Sequence, residues 1–394
     1  MSPADTIGAL VPLLLVAAAV VAARCLLAEA RPMPRGTTRS GAMATVSVVV
    51  PARNEATHLS DLLSSLSDLD CGDLVEVVVV DDGSTDGTAS VARAGGAHVV
   101  PAGTPPAGWT GKAWACHVGV AATAGDLLLL LDADTVLAPD ALSGLLETHD
   151  QHGGLVTVQP HHDAVRPHEQ LSAFFNAAAV MASSAFTRVP ATPPMAFGPC
   201  LLASRADLHA AGGHAAVRGD VLDDAALAAA FHRAGLPVVA LLGGTSIRMR
   251  SYPDSLRQLV AGWTKNIAAG ASSAAPGATL AVVLWVCIHH AVATGAFLSA
   301  LHLLAGRGGS LLVGHPAAWL LAYVVLSLHL RSVVRRLGSF RWWAWAFFPV
   351  PLLVFDLVFA RSLTHTFGRR SVTWRGRDVD LRAHAEVTST DEAL

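Results

Sequence analysis

Asp132 and Asp134 stand one residue apart at the end of the apolar run 126–131. Two carboxylates so placed can hold a divalent ion against a diphosphate, because Mg²⁺ and Mn²⁺ prefer oxygen ligands. Such an ion neutralises charge that develops on a phosphate leaving group. A solvated turn fits an isolated Asp-X-Asp equally well. A second acidic group, Asp81-Asp82-Gly83-Ser84-Thr85-Asp86, follows the run 75–80. Its Asp, Gly and Ser suit a turn that caps the next helix. Adjacent acids at the end of a buried strand also suit hydrogen bonding to a base or ribose. A third pair, Asp223-Asp224, opens the apolar helical stretch 222–231. Acids in a first helical turn favour the helix dipole. The alternative is a general base that takes a proton from an acceptor hydroxyl.

The rare residue types add a signal. The chain has 25 Arg but two Lys, Lys112 and Lys265, and three Asn: Asn54, Asn176 and Asn266. Where a bias replaces Lys by Arg, a surviving lysine marks a place that needs a compact ammonium. Both lysines follow Gly-Trp-Thr, in Gly108-Trp109-Thr110-Gly111-Lys112 and in Gly262-Trp263-Thr264-Lys265-Asn266. Chance survival on the surface is the competing reading.

Short Val/Leu runs at 46–50, 75–80, 126–131, 155–158 and 238–242 are expected to be strands buried on both faces. Between the first two, Leu59, Leu62, Leu63, Leu66 and Leu69 share a helical face, with Thr57 as a candidate cap. Strand, helix, strand with short connections is a βαβ unit, so the expected class is α/β. In open α/β sheets ligands bind beyond the carboxyl ends of strands. Pro51-Ala52-Arg53-Asn54-Glu55, the Asp81–Asp86 group and Asp132-Ala133-Asp134 all fall there.

The 394 residues are 52% apolar and only 14% charged, which points to a folded, partly membrane-embedded chain. Residues 44–250 carry 21 acids and 10 bases, a net of −11, while the flanks carry 9 acids and 17 bases, a net of +8. An acidic centre excludes nucleic acid as the partner. Basic flanks suit an anionic membrane surface. The five cysteines, Cys25, Cys71, Cys116, Cys200 and Cys287, form no CxxC pair, so neither a disulfide framework nor a zinc site is indicated.

The apolar run 7–28 is long enough to span a bilayer. Its positives, Arg24, Arg31, Arg35 and Arg39, come at its end or after it, which favours a signal anchor over a cleaved peptide. They also place residue 30 onward in the cytoplasm. Further apolar segments lie at 278–304, 311–330 and 343–360, with Arg331, Arg335, Arg336 and Arg341 between the last two. A full fourth span would put the Arg-rich tail outside. Pro349, Pro351 and the interfacial Trp342, Trp343 and Trp345 instead favour a re-entrant or interfacial segment and a cytoplasmic tail. The expected divisions are an anchor at 1–30, a cytoplasmic catalytic domain at 44–250, an amphipathic segment at 251–277, a membrane region at 278–363 and a basic tail at 364–394.

PARNE at 51–55, DDGSTD at 81–86, DAD at 132–134 and the Asp pair at 223–224, in this order, resemble the family 2 glycosyltransferases. The likeness covers about 46–266. It implies a GT-A-like, Rossmann-type nucleotide-sugar-binding domain beside the transmembrane helices. GWTGKAWAC at 108–116, the stretch 248–266 and WRGR at 374–377 are similar to a membrane branch that includes carotenoid-acid and hopanoid-associated glycosyltransferases. The resemblance implies that Pro51, Arg53, Asn54, Glu55, Asp81, Asp82, Lys112 and Asp132 bind a UDP-sugar. It implies that Asp134, with Asp132, holds a divalent metal, Mg²⁺ or Mn²⁺. Asp224 would be the base, with Asp223 beside it, and transfer would invert the anomeric centre. Trp263, Lys265 and Asn266 are expected on the acceptor and membrane side, and the acceptor is expected to be a membrane lipid or isoprenoid.

Two departures matter. Asp223 replaces the family's Glu, and the processive enzymes' QxxRW is absent, since Gln258 lies five residues before Trp263 and Gly262 precedes it. Single transfer is therefore expected. The Phe197-Gly198-Pro199-Cys200 stretch names no acceptor. A nucleotidyltransferase would carry a basic Gly-rich loop early in the chain, and PARNEATHL is not one. A silent scaffold would not need acids at all four motifs. A transporter needs polar residues within several spans, and only His289, His290 and Asp356 qualify.

Overall fold

The computed structural model describes residues 3–36, 44–70, 74–220, 222–270, 275–305, 315–364, 371–374 and 377–380. Cys71 and most of the basic tail, with Arg39, Arg369, Arg370, Arg375 and Arg382, lie outside the described residues. So does the centre of the 374–377 motif.

The strands in chain order are β1 (Val46–Ala52), β2 (Leu74–Asp81), β3 (His98–Pro101), β4 (Leu127–Leu131), β5 (Thr135–Leu137), β6 (Leu155–Gln159), β7 (His161–His162), β8 (Cys200–Ser204), β9 (Val238–Leu242), β10 (Ile247–Met249), β11 (Ser371–Trp374) and β12 (Arg377–Asp380). The helices are α1 (Pro3–Leu26), α2 (Ala56–Ser67), α3 (Thr88–Ala94), α4 (Gly111–Ala121), α5 (Ala141–His152), α6 (Ala173–Ala182), α7 (Arg205–Ala210), α8 (Asp223–Arg233), α9 (Leu256–Gly270), α10 (Pro276–Leu304), α11 (Pro316–Leu337), α12 (Trp342–Ala346) and α13 (Pro349–Thr364).

The main sheet runs β3-β2-β1-β4-β8-β6-β9. β1 lies parallel to both β2 and β4, and β8 is antiparallel to β4 and β6. All five leucines of β4 are buried, as continuous apolar runs require when both faces are covered. Every run expected to be a strand is one. α2 covers one face with Leu59, Leu62, Leu63 and Leu66, but Leu69 lies beyond its end and Glu55, not Thr57, precedes its first turn. Thr57 falls inside the helix because Glu55 is held back by the neighbouring Thr88, whose Oγ1 accepts its N–H at 2.9 Å. On the other face α4 lies close to the strands because Gly119 has no side chain: a Cβ there would meet Val49 at 2.4 Å and Val80 at 2.9 Å. β1 has β2 on one side and β4 on the other. The carboxyl ends of these three strands therefore open into one crevice, the usual ligand position in such sheets.

Among the described residues three helices, Gly8–Leu26 within α1, α10 and α11, are long and apolar enough to cross a membrane. They carry exposed apolar side chains such as Leu14 (64%), Leu280 (71%) and Leu304 (86%). α6 leaves the sheet and packs Phe174, Ala177 and Met181 into one cluster with Val16 of α1, Trp285 of α10 and Leu326 of α11. Its sequence AFFNAAAVMA is apolar on nearly every side, and a helix of that kind is stable only when surrounded.

The segment expected to be re-entrant is two helices, α12 and α13, joined at Phe347 and Phe348. Before it, Gly338 bridges to His162 and the Arg341 N–H donates to Gln170 Oε1 at 2.6 Å. At its far end the Ser362 hydroxyl donates to the Thr264 carbonyl of α9 at 3.0 Å. Its middle reaches Tyr323, whose hydroxyl donates to the Ala346 carbonyl at 2.7 Å. Tyr323 is about 20 Å along α11 from Leu337 by helical rise. The start of the segment thus lies against β7 and the stretch before α6, its end against α9, and its turn beside the middle of α11. A protease-cleavable tag after Leu394 is expected to be cut from the same membrane face as a site inserted in the sheet domain. Cutting of the two from opposite faces would make α13 a complete span.

Candidate active site

The crevice floor is two strand-end loops stitched together. The Asn54 N–H donates to Ser84 Oγ at 3.0 Å, and Asn54 Oδ1 accepts the Thr85 N–H at 2.8 Å. Asn54 does this with φ at +54°, a left-handed conformation that Asn tolerates better than most residues. Asp81 Oδ1 accepts the Ser84 N–H at 2.9 Å, and Asp86 receives the N–H and hydroxyl of Thr88. Arg53 donates to the Asp82 carbonyl at 2.8 Å and lies 3.5 Å from its carboxylate. Pro51, Arg53, Glu55 and Asp82 line the cavity above this floor. The Asn54 and Asp81 side chains are engaged in shaping the loops and do not line it.

Lys112 sits in the first turn of α4, which Thr110 caps by accepting the Ala113 N–H at 3.3 Å. Its ammonium lies 2.7 Å from Asp132 Oδ1. Burial works against that charge more than any one neighbour favours it, but Asp132, Asp223 and Asp224 act together and hold the ammonium well above its usual range. Lys112 therefore stays cationic throughout the physiological range and can face a diphosphate. Burial also pushes the Cys116 and Cys200 thiols up, so both stay protonated and unreactive.

The Phe197-Gly198-Pro199 stretch, silent in the sequence, connects the acidic groups. The Pro199 carbonyl accepts the Asp132 N–H at 3.1 Å and the Thr135 hydroxyl at 3.2 Å. The Gly198 N–H donates to Asp224 Oδ2 at 2.8 Å. A Cβ on Gly198 would stand 3.0 Å from that same oxygen, so glycine is needed for the approach. Asp224 Oδ1 also accepts the Ala225 N–H at 2.9 Å, in the first turn of α8. Burial and the adjacent Asp223 charge push the Asp224 carboxyl up to about 6, against the pull of Lys112 and the two N–H donors. A carboxylate with that value is a better base than a surface aspartate.

Asp132 and Asp134 both face the cavity. Among the described residues no cluster of three His, Cys, Asp or Glu side chains could enclose a metal ion. Two carboxylates still fit an open Mg²⁺ or Mn²⁺ site, because such ions keep waters and take substrate phosphate oxygens for the remaining positions.

The acceptor-side candidates lie on α9. Trp263 stacks on Phe175 with centroids 4.9 Å apart, and its indole N–H donates to Ser172 Oγ at 3.1 Å. Gly262 leaves room for the Tyr252 ring, which a Cβ would meet at 2.1 Å. The Asn266 amide donates to the Tyr252 hydroxyl at 3.0 Å. Trp263, Lys265 and Asn266 all line the cavity. Arg250 was not legible as a site residue: it lines the cavity and is held by Glu169 through Nε at 3.0 Å and Nη2 at 2.8 Å. No spacing in the sequence links those two positions. The cavity has a volume of about 1250 Å³ and runs from the aspartates to side chains of α6, α10 and α13.

Residues 47–206 match the family model for glycosyl transferase family 2. The chain is 32% identical to a 4,4'-diaponeurosporenoate glycosyltransferase of Staphylococcus haemolyticus over 86% of this chain and 89% of that protein. It is 32% identical to the enzyme of the same name from Staphylococcus aureus strain MRSA252, over 85% of this chain and 88% of that one. Among solved structures, a mannosyltransferase from Pyrobaculum calidifontis in complex with GDP-mannose and Mn²⁺ is 18% identical, with a TM-score of 0.49, covering 90% of this chain and 99% of that one. Identity at this level across nearly the whole length of the curated relatives, with the acidic motifs in one cleft, means that the chain belongs to glycosyl transferase family 2.

Proposed function

We propose that the protein is an inverting, non-processive enzyme that moves one sugar, glucose first among candidates, from a UDP-sugar to a membrane lipid acid. A carotenoid acid is the acceptor class suggested by the names of its relatives. The observation that carries this reading is the continuity of the cavity. One space is lined by Asp132, Asp134 and Asp224 at one end and by Val282, Val286 and Phe355 at the other. A donor with a charged diphosphate suits the first end, and a hydrocarbon suits the second. The acidic centre between basic flanks is in keeping with a catalytic domain at the cytoplasmic membrane face.

In this reading Pro51, Arg53, Glu55 and Asp82 surround the nucleotide. Lys112 faces the diphosphate, drawn into place by Asp132. Asp134 and Asp132 would hold the divalent ion, which when bound offsets charge on the leaving diphosphate. The N–H groups of Gly198 and Ala225 fix the Asp224 carboxylate in the first turn of α8. Attack from the face opposite the diphosphate inverts the anomeric centre. With an alcohol acceptor, Asp224 takes the hydroxyl proton. A carboxylic acid acceptor is already ionised at neutral pH and needs no proton removed.

Membranes containing the protein, UDP-glucose and Mn²⁺ are expected to transfer label to the organic extract. Asp132→Ala/Asp134→Ala should lower that label at least about a hundredfold, since metal assistance is worth several kcal/mol. Unchanged label in the double variant would remove the metal role. Asp224→Asn is expected to abolish transfer to an alcohol and only weaken transfer to a carboxylate. Equal, complete loss with both acceptors would defeat the proton assignment.

The pH profile gives a separate check. Deprotonation activates a base, so alcohol transfer should fall about tenfold per pH unit on the acid side of the Asp224 value. Asp223→Asn removes the neighbouring charge that raises that value. The acid limb should therefore move to lower pH in this variant, and a limb that stays put would exclude Asp224 as its source.

A further inference from the structure

The cavity continues past the catalytic cleft along α10 and α13. Val282, Val286 and Cys287 line it from α10, and Phe355 and Phe359 from α13. From Thr279 to His290, both lining residues, α10 rises about 16 Å. At the deep end His290 Nε2 lies 3.2 Å from the Asp356 carboxylate. These are polar side chains in helices that, apart from the buried His289, are apolar at this depth, and such residues are costly in hydrocarbon. A pair that served only to clamp two helices would be expected to be sealed between them. Here the side chains are 46% and 37% exposed, and both face the same space as the catalytic aspartates. The carboxylate keeps free acceptor lone pairs for a hydroxyl, and the imidazole, when protonated and giving Nε2–H to Asp356, keeps Nδ1–H as a donor for a hydroxyl or ketone oxygen. A wholly hydrocarbon chain would have to lie against the polar atoms that the pair leaves over without satisfying them.

We propose that His290 and Asp356 form a second recognition point for the acceptor, one that hydrogen-bonds an oxygen-bearing group, a hydroxyl or ketone, set well along its hydrocarbon. The inference rests on the lipid-acid reading of the acceptor. Its consequence is selectivity. A site that hydrogen-bonds a substrate oxygen disfavours the analogue that lacks it, because the site's polar groups lose their partner. The acid at the near end is glycosylated, and the distal oxygen sets how far the chain enters.

The test uses the full-length protein in detergent micelles with UDP-glucose and Mn²⁺. The acceptor probes are retinoic acid and ring-oxidised oxoretinoic acid, two polyene acids that differ in a distal ketone. Wild type is expected to favour the oxidised acid by about tenfold or more in kcat/KM, the lower range for a partly hydrated polar contact. His290→Leu and Asp356→Leu should erase that preference by losing rate on the oxidised acid alone. Asp356→Asn, which keeps hydrogen-bonding capacity and disturbs packing least, should retain part of it. Wild type indifferent to the ketone would overturn the inference while leaving the lipid-acid reading intact. So would variants that slow both acids equally, since that marks a structural clamp. Transfer to neither acid, with hydrolysis of UDP-glucose preserved, would overturn the lipid-acid reading and this inference with it.

Discussion

Gly198 and Pro199 hold the chemistry of the cleft in register. One backbone N–H fixes Asp224, and the next carbonyl fixes the turn that presents Asp132 and Asp134. The carboxylates after β4 and the carboxylate that opens α8 thus share a single strap at the entry to β8. Side chains braced by a turn anchored directly to a buried strand are held more precisely than side chains on free loops. The missing Cβ at Gly198 lets the strap come within hydrogen-bonding distance of Asp224.

Charge is distributed to match. Asp132, Asp134, Asp223 and Asp224 all face one cavity, and Lys112 is the ammonium placed among them. The lysine partly neutralises the cluster and pairs with Asp132, while burial, with the Asp223 charge adding, raises Asp224. Neighbouring carboxylates in different environments can in this way take different roles, one as ligand and another as base.

The long apolar helices are not an appendage. α6 leaves the sheet domain to join α1, α10 and α11, and Trp263 of α9 stacks on Phe175 of that same helix. α13 packs back on α9 through Val358 and Ser362. These contacts form the walls of the lower cavity. Reaction centre and apolar channel are therefore one packed structure, because an all-apolar helix such as α6 must be enclosed wherever it is placed.

The sequence by itself determined the strands, the order of the acidic motifs and the apolar helices, since each is written in local pattern: Val/Leu runs, Asp at strand ends, long stretches without charge. Every run read as a strand forms one, and Asp132, Asp134, Asp223, Asp224 and Lys112 meet in one cleft. Local pattern could not reveal which motif residues face the cavity and which brace the loop. Asn54 and Asp81 brace it, a fact that depends on how the β1 and β2 loops meet. Nor could it reveal Gly198 as the link between acids 92 residues apart in Asp132 and Asp224, the Glu169–Arg250 pair, or His290 opposite Asp356. Those contacts join positions far apart in the chain. They exist only once the helices have packed, so the tertiary structure alone decided them.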